Sequence, residues 1–157
     1  MTVMDEMVCF SLYAASRATT QAYRELLDPF GLTYAQYLVL IVLWSEGPRT
    51  VRELGEALQL DSGTLSPMLR RMETAGHLER TRSTADERVV TITLTAKGSA
   101  LRGELAHVPE CILRGTGLAG ASDARELIAA LQALTRSLQE NTASGAVLAS
   151  APSKETS

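Results

Sequence analysis

Cys9 is the side chain in this sequence best placed to do covalent chemistry, and one other thiol, Cys111, accompanies it. A thiol acts as a nucleophile in its thiolate form. Residues 5–27 have helical spacing, with Val8, Leu12, Ala15 and Thr19 on one stripe. Cys9 therefore falls in the first turns of a helix, where the backbone dipole favours a negative charge. Phenolic hydroxyls donate hydrogen bonds to a thiolate. Tyr13, Tyr23 and Tyr34 lie on the first two predicted helices and are suitable donors; Tyr37 reads as helix core. Asp5, four residues before Cys9, opposes ionisation if it shares that face. The competing reading is structural, since a lone cysteine commonly packs as a small hydrophobe.

A second set of residues suits phosphates and base edges. Net charge is −3, yet residues 49–102 hold nine basic against seven acidic side chains, a local balance of +2. The remainder of the chain carries −5. A phosphate backbone responds to the local field, not to the sum over the chain. Arginine outnumbers lysine thirteen to two, and the planar guanidinium makes bidentate contacts with phosphate and guanine.

Caps and breakers set out the elements that must position these groups. Asp28-Pro29-Phe30-Gly31 ends the first helix. Thr33 with Gln36 is a capping box that opens an apolar helix through Trp44, the expected centre of the core, closed by Gly47-Pro48. Thr50 with Glu53 repeats the box for a short helix ending near Leu58. Asp61 or Ser62 caps a further helix to about Thr74, with Gly76 at its C′ position. Leu54, Ala57, Leu65 and Leu69 are spaced to pack this pair together. Residues 78–82 and 89–94 then alternate with period two, predicting strands joined by a polar tip at 83–87. Thr95 caps a helix from Ala96 to about Val108, which Pro109 breaks or kinks. Gly115, Gly117 and Gly120 weaken the next stretch, and a last helix runs from about Asp123 to Glu140.

Helix, turn, helix and a two-stranded hairpin make a winged helix-turn-helix, so the expected fold is mainly α with a small β-hairpin wing. The second helix of such a pair enters the major groove. That puts Ser62, Thr64, Ser66 and Pro67 at base edges, followed by Arg70 and Arg71, with Arg80, Arg82 and Arg88 on the hairpin. A solvated charged face on an unrelated helical domain is the competing reading.

The segment from Leu60 to Glu73 resembles the recognition helix of the MarR family, and Asp86-Glu87-Arg88 leading into residues 90–95 resembles its wing. The likeness covers roughly residues 5–140. It implies a homodimer with intertwined terminal helices that binds a palindromic double-stranded DNA operator, with Asp86 bracing the wing. Unpartnered apolar faces on the first and last helices would then be covered by the second copy. The chain divides accordingly into dimerisation and thiol-sensor helices (1–48), a winged helix-turn-helix (49–95), C-terminal dimerisation helices (96–141) and a disordered tail (142–157).

The run from Cys9 to Arg17 is further similar to the first helix of the organic-hydroperoxide-resistance repressors of that family. This resemblance implies that Cys9 is a redox sensor. Tyr23 and Tyr34, at offsets of 14 and 25 from Cys9, would support the thiol, and Tyr13 would reach across from the other chain. Val8, Phe10 and Leu12 suit bulky organic hydroperoxides better than hydrogen peroxide. Some members pair the sensing cysteine with a resolving one in the partner subunit, and Cys111 stands near that place. The sulfenic acid would then condense to an intersubunit disulfide; capping of Cys9 by an external thiol is the alternative. The function expected is a repressor bound to DNA when reduced and released when organic hydroperoxides oxidise Cys9. A MarR-type repressor released by a small phenolic or lipophilic ligand is the other reading.

Other classes find little footing. A thiol peroxidase would need a route to regenerate Cys9, and no Cys-x-x-Cys is present. His77 and His107 form no ligand-like cluster, and no cofactor is expected. No run approaches the ~18 apolar residues of a membrane span, and residues 1–10 hold Asp5 and Glu6 without a basic leader. A cytoplasmic regulator with no membrane partner and no enzyme activity is expected.

Overall fold

The structure is a computed structural model that describes residues 3–82, 84, 86 and 88–145, Asp5 in its backbone alone. A 3-10 turn at Val3–Glu6 precedes α1 (Val8–Leu27). A second one, Asp28–Phe30, leads through left-handed Gly31 into α2 (Tyr34–Glu46). Next come β1 (Arg49–Thr50), α3 (Val51–Leu58), α4 (Ser62–Thr74), β2 (Leu78–Arg82) and β3 (Val90–Leu94). The chain continues with α5 (Ala96–Glu104), α6 (Val108–Gly115) and α7 (Ala121–Ala143). Mainly helical with a small antiparallel sheet, this is the winged helix-turn-helix expected from the sequence.

Local chemistry accounts for the boundaries. Thr33 and Thr50 form reciprocal capping boxes with Gln36 and Glu53. The Asp61 carboxylate accepts the Thr64 N–H at 2.9 Å, and Thr95 caps α5. Each cap satisfies N–H groups that the first helical turn leaves open. Gly76, at φ 78°, turns the chain out of α4 into β2. Pro67 lies inside α4 on its exposed side and removes one N–H from the helical ladder.

The core is built where these elements meet. Leu27, Leu40, Leu54, Leu65, Leu69, Met72, Leu78 and Ile92 are all fully buried. α2 supplies Tyr37, Val39, Leu40 and Leu43, confirming it as the central helix. α1 buries only Leu27; on the stripe begun at Val8, Val8 itself is 65% exposed and Leu12 half-buried.

Three findings depart from the sequence expectations. The sheet has three strands in the order β1-β3-β2, since Arg49 and Thr50 pair with Ile92 and Thr91. A two-residue strand is too short to show period two. α5 stops at Glu104, not near Val108, because the chain turns so that Leu105 and Val108 can both be buried. Pro109 then sits in the first turn of α6, where its missing N–H has no helical partner to lose. The last helix extends to Ala143, three residues past Glu140; residues 146–157, most of the expected disordered tail, lie outside the described residues, as do Ser83, Ala85 and Glu87 at the wing tip.

The described residues fall into two compact units that divide between Ile112 and Leu113. The second is dominated by α7, which has no buried residue. Among the described residues no single helix is long and apolar enough to cross a membrane; α1 with its turn and α2 reach that composition only as a pair bent by 75°.

Candidate functional site

The winged unit gathers most of the candidate DNA contacts on α4 and the hairpin. Ser62, Thr64, Pro67, Arg70 and Arg71 are exposed and Ser66 half-buried, while Leu65, Met68, Leu69 and Met72 anchor the other face of α4. The Thr64 hydroxyl donates to Asp61 at 3.0 Å, so toward a base or phosphate it retains only its acceptor capacity. Those hydrogen bonds from Thr64 hold the Asp61 carboxyl below its ordinary range. A cleft between α3, the start of α4 and the wing brings Ser62, Arg52 and Arg88 together. Arg52 was not singled out in the sequence; its one-turn spacing to Glu56, with which it pairs at 2.8 Å, was the available signal.

The wing is braced at two points. Asp86 accepts the Arg88 N–H at 2.9 Å on its carboxylate and the Val89 N–H at 2.9 Å on its carbonyl. Arg80 is turned inward: its side chain is 20% exposed and lies 3.9 Å from Glu73 of α4, which also accepts its backbone N–H at 3.2 Å. Arg82 and Arg88 are exposed. Position therefore separates Arg80, held against α4, from the two arginines open to a ligand.

The thiol set falls into two groups. Cys9 is the second residue of α1 and exposed; Met7 caps that helix without a side-chain hydrogen bond, and no acidic residue occupies the first turn. Tyr13, one turn on, is 56% exposed, accepts a hydrogen bond from Arg17 at 3.0 Å and packs beside Phe10. Tyr23 and Tyr34 form the second group, their rings stacked with centroids 4.1 Å apart, and Tyr37 lies 5.8 Å from Tyr23. Burial, aided by its tyrosine neighbours, pushes the Tyr23 hydroxyl up to about 12, so it remains a hydrogen-bond donor at neutral pH. Burial also raises Tyr37.

Within one chain the two groups do not meet. Cys9 and Tyr23 are fourteen residues apart on a single helix, about 21 Å along its axis. Cys111 is half-buried on α6, and no disulfide joins it to Cys9. Among the described residues no group of His, Cys, Asp and Glu could hold a metal ion.

Comparison with known proteins places this architecture. Residues 21–105 match the family model described as transcriptional regulator SarA/Rot. The organic hydroperoxide resistance transcriptional regulator of Bacillus subtilis (strain 168) is 44% identical over 137 residues, covering 87% of this chain and 92% of that protein. The HTH-type transcriptional regulator TtmR of Methylorubrum extorquens (strain PA1) is 49% identical over 115 residues, or 73% of this chain. That alignment spans 59% of TtmR, so the chain covers less than two thirds of this relative. Among solved structures, reduced AbfR bound to DNA superposes with a TM-score of 0.72 at 37% identity, covering 85% of this chain and 89% of that one; AbfR is from Staphylococcus epidermidis. The relatives are transcriptional regulators, not enzymes. The chain belongs to the MarR/SarA-type winged-helix transcriptional regulators.

Proposed function

We propose that this regulator is a homodimeric repressor that holds a palindromic operator when Cys9 is reduced and releases it when an organic hydroperoxide oxidises Cys9. The observation that carries the reading is the division of the thiol set along α1. An exposed thiol stands at one end of the helix, and at the other Tyr23, whose raised hydroxyl stays protonated, stacks on Tyr34. Crossing of two such helices about a two-fold axis would bring Cys9 to Tyr23 and Tyr34 of the partner subunit. This is the reverse of the expectation that Tyr13, one turn from Cys9 on the same helix, is the tyrosine that crosses. The exposed apolar side chains Val8, Phe10 and Tyr13 give that crossing a surface to bury. The name of the Bacillus relative points the same way, whereas AbfR has been solved on DNA in both a reduced and an overoxidized state and so does not by itself favour release on oxidation.

In the chemistry proposed, the Cys9 thiolate attacks the terminal oxygen of ROOH and the O–O bond breaks. The sulfur becomes a sulfenic acid, and ROH leaves with the second oxygen after protonation. Condensation with the Cys111 thiol of the partner subunit would form a disulfide and release water. On DNA, Ser62, Thr64, Ser66 and Pro67 face base edges, with Arg70, Arg71, Arg82 and Arg88 reaching phosphates or a neighbouring groove.

A second reading has its own support. A cleft lined by Tyr37, Ile41, Trp44, Arg102, Leu105 and Pro109 suits a small phenolic or lipophilic effector. One experiment separates the two: DNA release titrated with cumene hydroperoxide for wild type, Cys9→Ser and Cys111→Ser, with non-reducing gels run on the same samples. Release of wild type with Cys9→Ser retained on DNA supports the thiol sensor. A dimer band lost in Cys111→Ser assigns the resolving thiol. Equal release of wild type and Cys9→Ser refutes the sensor and leaves the ligand-released repressor.

A further inference from the structure

Trp44 is the chain's one tryptophan and lies ten residues after Tyr34 on α2. Its indole N–H donates to the carbonyl of Gly98 at 2.9 Å, and its own carbonyl accepts from the Arg102 guanidinium at 3.2 Å. Its ring meets Tyr37 edge-on at 6.1 Å. Tyr37 packs against Tyr23 at 5.8 Å, and Tyr23 stacks on Tyr34. An unbroken run of side-chain contacts therefore joins the phenolic pair to the first turn of α5.

From Gly98 the contacts continue to the recognition helix. Gly98 lies so close to the His77 carbonyl that a Cβ has no room there. The Thr95 hydroxyl donates to the Gly76 carbonyl at 2.7 Å, the Lys97 ammonium to the Ala75 carbonyl at 2.7 Å, and the Thr95 N–H to the His77 carbonyl at 3.2 Å. Residues 75–77 are the turn that closes α4. The start of α5 is thus fastened to the end of α4 at three successive carbonyls and has no slack at Gly98.

We propose that Trp44 is the positioning residue through which the Tyr23–Tyr34 pair sets the placement of α4, acting by its hydrogen bond to Gly98. The inference rests on the thiol-sensing reading of Cys9. Tyr34 to Trp44 spans about 15 Å of continuous helix, which moves as a rigid body, so a displacement at the first residue of α2 appears at its last turns. When Cys9 gains oxygen, the phenolic hydroxyls lose their thiolate acceptor and the pair shifts. The indole draws Gly98 with it, and the tight contact with His77 passes the movement to α4. Two recognition helices in a dimer must match half-sites one DNA turn apart, so a small common shift weakens both contacts. Nothing is transferred at Trp44; its part is mechanical.

Trp44→Phe keeps an aromatic ring and deletes the donor. The measurement is operator affinity of the full chain before and after cumene hydroperoxide, with Cys9 oxidation tracked by mass spectrometry on the same samples. Expected are equal Cys9 oxidation and reduced-state Kd within about twofold of wild type. The ratio of oxidised to reduced Kd should fall about fivefold, the equivalent of about 1 kcal/mol for one hydrogen bond. An unchanged ratio overturns the inference. Should the variant fold poorly, the emission of Trp44 in wild type decides the matter. A change that tracks DNA release supports the coupling, and constant emission during release refutes it. Wild type that stays on DNA with Cys9 fully oxidised refutes the thiol-sensing reading itself, a result distinct from either outcome for Trp44.

Discussion

The carboxylate of Glu73, on the recognition helix, accepts the backbone N–H of Arg80 at 3.2 Å and stands 3.9 Å from the guanidinium of the same residue. One side chain of α4 thereby holds the first strand of the wing by main chain and side chain together. Glu73→Ala removes that hold and leaves the buried Nε of Arg80 with less compensation. Glu73 is partly exposed, so the expected cost is modest, about 1 kcal/mol. In a chain of this size that lowers the thermal midpoint by about 2–4 °C. Glu73→Gln, which keeps an acceptor oxygen, should retain most of the midpoint. Calorimetry on both variants checks the assignment, and an unaltered midpoint in Glu73→Ala would refute it.

His77 gives stability an acid limit. Burial, with Lys97 nearby, holds its imidazole below the ordinary value of 6.5. The unfolded chain then takes up a proton that the native state resists, so the unfolded state binds more protons in the window just below 6.5. Stability from this group is complete above that value and declines as pH falls through the window. Other groups also titrate in acid, so the comparison is between wild type and His77→Gln. Thermal midpoints from pH 7.5 down to pH 5 should fall less steeply in the variant; parallel curves would remove His77 as a contributor.

Arg82 and Arg88 are exposed on the wing, whereas Arg17 lies on α1 beside Tyr13. If the two wing residues meet phosphates, Arg82→Ala should weaken binding alike on specific and unrelated sequences. The slope of log Kd against log salt should drop by about 1. Arg17→Ala should leave that slope as it is. Anisotropy titrations across a salt series decide the point, and an identical slope for Arg82→Ala would take this residue off the interface.

α7 displays Leu127, Ile128, Leu131 and Leu138 without burying any of them. Charge on this stripe opposes its cover by a second copy. Leu131→Glu with Leu138→Glu is expected to convert a dimer to monomer in light scattering and to reduce operator affinity at least tenfold, about 1.4 kcal/mol or more. A variant that remains dimeric would place the contact elsewhere.

Much of this architecture was readable because it depends on neighbours in the chain. The caps at Thr33, Thr50, Asp61 and Thr95 are hydrogen bonds spanning three residues, and each is written in the local residue types. The features that escaped depend on distance. β1 exists because Arg49 finds Ile92, and α5 ends early because Leu105 and Val108 find the core. Arg80 looks like any wing arginine until β2 is folded back on Glu73. Trp44 and Gly98 are 54 positions apart and share no motif. Tyr23 and Tyr34 were suggested by residue type and by resemblance, whereas their stacking and their separation from Cys9 within one chain belong to the three-dimensional fold.

The bare flank of α7, 23 residues long, has a thermodynamic corollary. If a second copy covers it, folding and association become one equilibrium, and dilution acts on the protein as a denaturant does. Each tenfold fall in concentration at fixed temperature would take about 1.4 kcal/mol from the assembled dimer. Copy number would then govern both how many operators are filled and how well each molecule holds its shape. The chain, in effect, would be its own stabilising ligand.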